Sequence, residues 1–130
     1  DTNINLDLDS KGTGIIRPQH AVVNKVVALT DGANIATDAS LGNIFTVTLA
    51  GNRTMGNPTN PTDGQTIIYK IKQDATGSRT ITWGANFRGS TDVALPTLTT
   101  TAAYVDYVMF YYNSAVTKWD CLSVNRGFAS

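Results

Sequence analysis

Between Ile44 and Leu49 the chain alternates strictly, with Phe45, Val47 and Leu49 large and apolar and Thr46 and Thr48 polar and β-branched between them. A period of two sorts these residues onto opposite faces of a strand, which the 3.6-residue period of a helix does not do. The pattern returns at Gln65–Gln73, where Ile67, Tyr69 and Ile71 share one face and Ile68, Lys70 and Lys72 the other. It returns again at Thr117–Val124, where Trp119 and Cys121 alternate with Asp120 and Leu122. Tyr104–Tyr112 is the most apolar run, with Val108 and Phe110 on one face and Val105, Tyr107, Met109 and Tyr111 on the other. Short strands are expected around Ala33 and Ile35, at Arg53–Met55 and at Thr80–Trp83, the last forming a hairpin with Gln65–Gln73 across Asp74–Ser78. Clusters of Gly, Asn, Asp and Pro punctuate these runs, the signature of an antiparallel sandwich or barrel.

Composition agrees with strands and excludes several functions. The chain has 130 residues, the size of one domain, and its ten acidic residues are all aspartate. Without glutamate, and with threonine abundant, a helical bundle is ruled out. Ten basic residues balance the ten acids and are scattered, so no polyanion-binding surface and no nucleic-acid partner is expected. No apolar run reaches the roughly 20 residues that would cross a bilayer, so no membrane insertion is expected. The start at Asp1 in place of methionine predicts a processed or trimmed chain, or a piece of a longer one.

Residues 1–29 differ from the rest of the chain. Ile4, Leu6 and Leu8 alternate with Asn5, Asp7 and Asp9, then a Ser10–Gly14 turn cluster leads to Ile15, Ile16 and Pro18. The run Ala21–Leu29 has β-branched residues that favour a strand. With few large side chains to bury, this segment reads as an extended N-terminal arm that neighbouring chains would cover, preceding a β-sandwich domain at 30–130. Between the later strands, Gly51–Gly64 and Gly84–Thr101 are long connections, the second with room for a short edge strand.

The runs Gly42–Met55, Asn57–Pro61, Asp63–Gln65 and Gln73–Gly84, then Leu95–Thr99, Val105–Asp106 and Lys118–Trp119, resemble a C-terminal β-domain that recurs in tailed-bacteriophage fibre, spike and other virion surface proteins. Upstream, Asn3–Leu6 followed by Lys11–Gly14 is similar to a stem segment preceding such domains. The resemblance implies a non-enzymatic component of the particle surface, commonly trimeric and built as an antiparallel, jelly-roll-like β-sandwich. Its expected role is a tail fibre or spike tip domain in host attachment, with other virion proteins and a host glycan or protein as partners. Family members often carry an aromatic-rich stretch where this chain has Ala85–Gly89. The arm is shorter than a fibre shaft, which admits a second reading as a capsid decoration protein, a cement or head fibre whose arm binds neighbouring capsid subunits. A third is a sugar-binding module unrelated to phage.

No catalytic constellation stands out. One histidine, His20, and one cysteine, Cys121, have no acid, base or metal-ligating neighbours in sequence, so no catalytic residue, cofactor or metal is expected. Asp7, Asp9 and Asn5 offer too few oxygens to define a calcium site. Gln73–Arg79 has the look of a phosphate loop but lacks its lysine and following helix, so a turn is expected. Trp83 and Trp119 are expected to anchor the core. The second face of the tyrosine-rich strand, Val105, Tyr107, Met109 and Tyr111, is either a subunit interface together with Ile4, Leu6 and Leu8 or a face covered within one subunit. Receptor contact is expected from the loops, through Arg53, Asn57, Asn60, Asn86, Phe87 and Arg88.

Overall fold

A computed structural model describes residues 4–130. The strands are β1 (Val26–Ala28), β2 (Asn34–Ile35), β3 (Ile44–Leu49), β4 (Arg53–Met55), β5 (Thr66–Gln73), β6 (Ile81–Trp83), β7 (Phe87–Arg88), β8 (Val105–Asn113) and β9 (Lys118–Phe128). The one helical element among the described residues is a 3-10 turn, Ala39–Leu41, whose first turn is capped by Asp38 accepting the Ser40 amide at 3.0 Å. Strands β3, β5, β8 and β9 form where the alternation is longest. The arm range begins on Asp1–Asn3, which lie outside the described residues. From Ile4 to Lys25 no strand forms, and within the expected Ala21–Leu29 strand only β1 pairs.

The chain is all-β, but its strands are mostly not antiparallel. One six-stranded sheet has the order β1-β3-β5-β8-β9-β7 and a three-stranded sheet the order β2-β4-β6. β1, β3 and β5 run parallel, as do β2, β4 and β6, because successive strands alternate between the two sheets. Each crossover from one parallel strand to the next is a strand of the other sheet, so the first part of the domain is a stack of two-strand coils. Among the described residues, only β5-β8 and β8-β9 pair antiparallel. The expectation of an antiparallel, jelly-roll-like sheet is thus corrected. Alternation dictates which face of a strand is buried and is silent about the direction of its partner.

The expected hairpin between Gln65–Gln73 and Thr80–Trp83 is corrected for the same reason: β5 and β6 belong to different sheets. The connection between them is rigidly held. The buried Gln73 amide donates to Arg79 O at 2.9 Å and accepts the Arg79 N–H at 2.8 Å. Asp74 Oδ1 accepts the amides of Thr76 and Gly77, and its carboxylate is gripped by Arg79 at 2.8 Å. That carboxylate occupies the backbone amides that a phosphate would need, which answers the phosphate-loop likeness.

The two sheets share one core. Tyr69 stands at its centre, with the rings of Phe45, Trp83, Phe87 and Phe110 at centroid distances of 6.0 to 6.3 Å. Its hydroxyl lies 2.9 Å from the Thr37 hydroxyl, which gives this buried polar pair a partner. Burial pushes the Tyr69 phenol well above its usual range. Trp119 is fully buried against Tyr112, and Trp83 packs on the core while its indole N–H donates to Pro96 O at 3.0 Å. Both tryptophans are core anchors as expected, each such ring contributing roughly 2–3 kcal/mol through removal of apolar surface from water.

Candidate functional site

Four connections meet at one end of the sheets, where β5 and β9 begin and β4 and β8 finish. The segment Gly56–Gln65 is fixed to the 3-10 turn through a parallel bridge between Thr59 and Asp38 and through Asn60, whose amide donates to Asp38 Oδ1 at 3.1 Å. Asn60 adopts a φ of 52°, a left-handed conformation that asparagine tolerates better than bulky residues. On the other side, Asp63 Oδ1 accepts the Ser114 amide at 2.9 Å and ties the segment to the β8-β9 turn. Donors hold both carboxyls below the usual range, the Ser40 hydroxyl first for Asp38 and the Ser114 amide first for Asp63.

The second expected loop joins the first here. Asn57 Oδ1 accepts the Asn86 N–H at 2.9 Å, and Asn86 O in turn accepts the Trp119 N–H at 2.7 Å. Lys118 Nζ donates to Ala85 O at 2.7 Å, so the strip Gly84–Asn86 is held between loop and strand. Arg88 leaves β7 on the outer side and pairs with Asp120 of β9, with Nη2 3.2 Å from Oδ2. Beside this strip, Ser40, Asn43, Asn60, Pro61, Thr62 and Gln65 line an open polar groove, with Ile4 and Asn5 of the arm at its margin. Three of its amides serve the fold, Gln65 bonding the Ala39 and Gly42 carbonyls, Asn43 bonding Thr66 O and Asn60 bonding Asp38 Oδ1. The remaining surface is hydroxyl, amide and carbonyl, suited to hydrogen bonding and carrying little charge.

Of the expected contact residues, the structure therefore brings Asn57, Asn60 and Asn86 to one end, with Arg88 beside them. Arg53 stands at the opposite end of β4, its guanidinium bound to Asp31 through Nε at 2.9 Å and Nη2 at 2.7 Å. Phe87 is corrected: it is 4% exposed and its ring lies 4.8 Å from that of Phe110, so it faces the core and offers no surface to a receptor. β7 turns it inward because the strand pairs Phe87 with Trp119 and so shares that residue's buried face.

The outer face of the large sheet carries the expected interface residues. Val105 is corrected, being 5% exposed within the single chain, where Phe128 pairs across from it. Met109 and Tyr107 are half-buried, Tyr107 with its ring edge-on to Phe128 at 5.4 Å, and Tyr111 is exposed. Register places Val26, Ile44, Ile68 and Met109 in one row across four strands, an apolar stripe that strand alternation alone did not reveal. Ile4, Leu6 and Leu8 are exposed.

Sequence reasoning missed Asp106. It is buried on the inward face of β8, where Oδ2 accepts the Thr99 N–H at 2.7 Å and Oδ1 the Gly127 N–H at 2.8 Å. A lone carboxylate inside the most apolar strand was the available signal. Among the described residues no group of three or more His, Cys, Asp or Glu is placed to hold a metal ion, and no helix is long and apolar enough to cross a membrane.

No curated protein and no solved structure matches the chain. The family described as "Putative phage tail fibre C-terminal domain" matches residues 28–111, which run from the last residue of β1 into β8 and take in β2 to β7 and both converging loops. That family is a structural and not an enzymatic kind of protein. The all-β chain, stacked in parallel coils under a polar loop end, belongs to this family of phage tail fibre domains and is a structural component of a bacteriophage virion.

Proposed function

We propose that this domain is the surface-displayed tip of a tail fibre or spike and that its polar loop end contacts the host cell. The observation that carries the reading is the junction of the two loops through Asn57 and Asn86, which presents Asn60, Pro61, Thr62 and Ala85 together on a rigid base. Hydrogen-bonding side chains of low net charge suit a host glycan or a polar protein surface. The domain works as a homotrimer, with the outer stripe of Ile44, Ile68 and Met109, flanked by Tyr107 and Tyr111, between subunits. The zero net charge favours such self-association.

Competition for adsorption tests the attachment role. Purified protein should protect host cells from the phage, and the doubly substituted Thr62→Ala, Ala85→Asp protein should protect them less while melting at the same temperature. Unchanged protection by that variant would refute the loop end as the contact surface. Light scattering checks the trimer, which a monomer at micromolar concentration would refute. The capsid decoration reading draws on the exposed arm, and it predicts that removing residues 4–25 abolishes particle binding with the trimer retained; the family match to tail fibres favours the first reading.

A further inference from the structure

The stack of coils has one open end. β1 and β2 are the terminal strands of their sheets on the same side, and each pairs with only one neighbour. In parallel pairing every second residue turns its amide and carbonyl away from the partner. Leu29 N donates to Thr46 O, and Ala33 O and Ile35 O accept from Thr54 and Gly56, so the backbone groups of Ala28 and Asn34 face outward. Between the two edges runs a groove in which Val27, Ala28, Leu29, Ala36 and Leu41, the last 52% exposed, are joined by Thr30, Asp31, Gly32 and Asn34. Two free strand edges flanking a groove with an apolar strip form a template for one more coil.

The arm has the pattern of that coil. Leu8 and Ile16 stand 8 residues apart, as do Val27 and Ile35, the inward-facing residues of the first coil. They precede those residues by 19, between the steps of 18 (Val26 to Ile44) and 20 (Ile35 to Met55) that relate the first coil to the second. A turn separates them as it separates β1 from β2: Gly12 has a φ of 66°, and Ser10 Oγ donates to Gly14 O at 2.6 Å. Yet in the single chain Leu6, Leu8, Ile15 and Ile16 are 54% to 83% exposed. Pro18 disfavours a helical Arg17 and keeps the link to β1 extended.

We infer that the segment 4–16 of one copy docks on the open β1/β2 end of a second copy, adding a strand to each sheet and burying Leu8 and Ile16 over the Val27–Leu41 groove. The contact is head-to-tail, arm to end, and three such contacts close a ring. This rests on the trimer reading and specifies how its subunits are linked.

The test co-expresses two full-length chains in a Cys121→Ser background, one with Leu8→Cys and the other with Leu41→Cys, and treats them with a short bismaleimide. A covalent pair of unlike chains is expected, together with a trimer by light scattering of the same sample. A trimer without that product would overturn arm exchange and leave the trimer standing, whereas a monomer would overturn both. A doubly substituted chain that cross-links only to itself would show the arm folding back on its own end and likewise refute exchange. Ile16→Asp, in an arm that the domain does not need for its core, should shift the multimer towards monomer at least tenfold in dissociation constant with an unchanged far-ultraviolet circular dichroism spectrum of the β-domain; no shift would overturn the proposal.

Discussion

Asn57 Oδ1 and the amide of Asn86 lie 2.9 Å apart, so one side chain fixes the distance between two loops separated by a whole sheet crossing. Asn57→Ala frees the Gly84–Asn86 strip on one side while Trp119 and Lys118 still hold it on the other. We expect a stability loss of about 1 kcal/mol, the usual worth of one hydrogen bond. Amide exchange should accelerate at Asn86 more than in β5 or β8, and phage competition should weaken if the strip contributes to attachment.

Asp106 ties three distant segments with one carboxylate. Asp106→Ala leaves the Thr99 and Gly127 amides without their acceptor in a part-buried position. Urea denaturation should show a loss of about 2–4 kcal/mol, from two orphaned donors at roughly 1–3 kcal/mol each with partial relaxation. Asp106→Asn keeps one acceptor and should lose less.

Gly77 has a φ of +73°, and a Cβ there would lie 2.6 Å from Thr100 O and 2.8 Å from the Ala102 nitrogen. Both obstacles are backbone and cannot swing aside. Gly77→Ala should cost more than the roughly 1 kcal/mol of left-handed strain alone and should lower the thermal midpoint by several degrees.

Acid should weaken the fold through its paired aspartates. The Arg53 guanidinium holds the Asp31 carboxyl below the usual range, and Arg79 does the same for Asp74. Because the folded-state values lie below the unfolded ones, this stabilisation is complete above the unfolded value of about pH 4 and fades as pH falls through the folded values. Urea midpoints at pH 7 and pH 3 should differ, and the Asp31→Asn, Asp74→Asn protein should show a smaller difference.

The long strands were legible because alternation is a local property: Phe45, Tyr69, Phe110 and Trp119 all face the core as their spacing demands. Pairing direction was not, since nothing between Gln73 and Thr80 distinguishes a hairpin turn from a crossing to the other sheet. The turn is bracketed by the Gln73 amide on Arg79, a contact whose geometry no propensity encodes. The loop end was legible as two polar connections, while their junction depended on Asn57 reaching across to a residue 29 positions away. Phe87 misled because an aromatic ring among glycines and asparagines looks displayed. Its two-residue strand takes its facing from Trp119, far along the chain.

Equivalent positions advance by 18 residues from β1 to β3 but by 24 from β3 to β5, and by 20 from β2 to β4 but 28 from β4 to β6, while each pair keeps its register throughout. The difference is shared between longer strands and the connections, which range from three residues between β3 and β4 to ten in Gly56–Gln65. Lengthening such a connection costs little, since loop-closure entropy grows only logarithmically. Residues can therefore be inserted or deleted in the connections without renegotiating the interior, and the coil stack is a chassis that tolerates such changes.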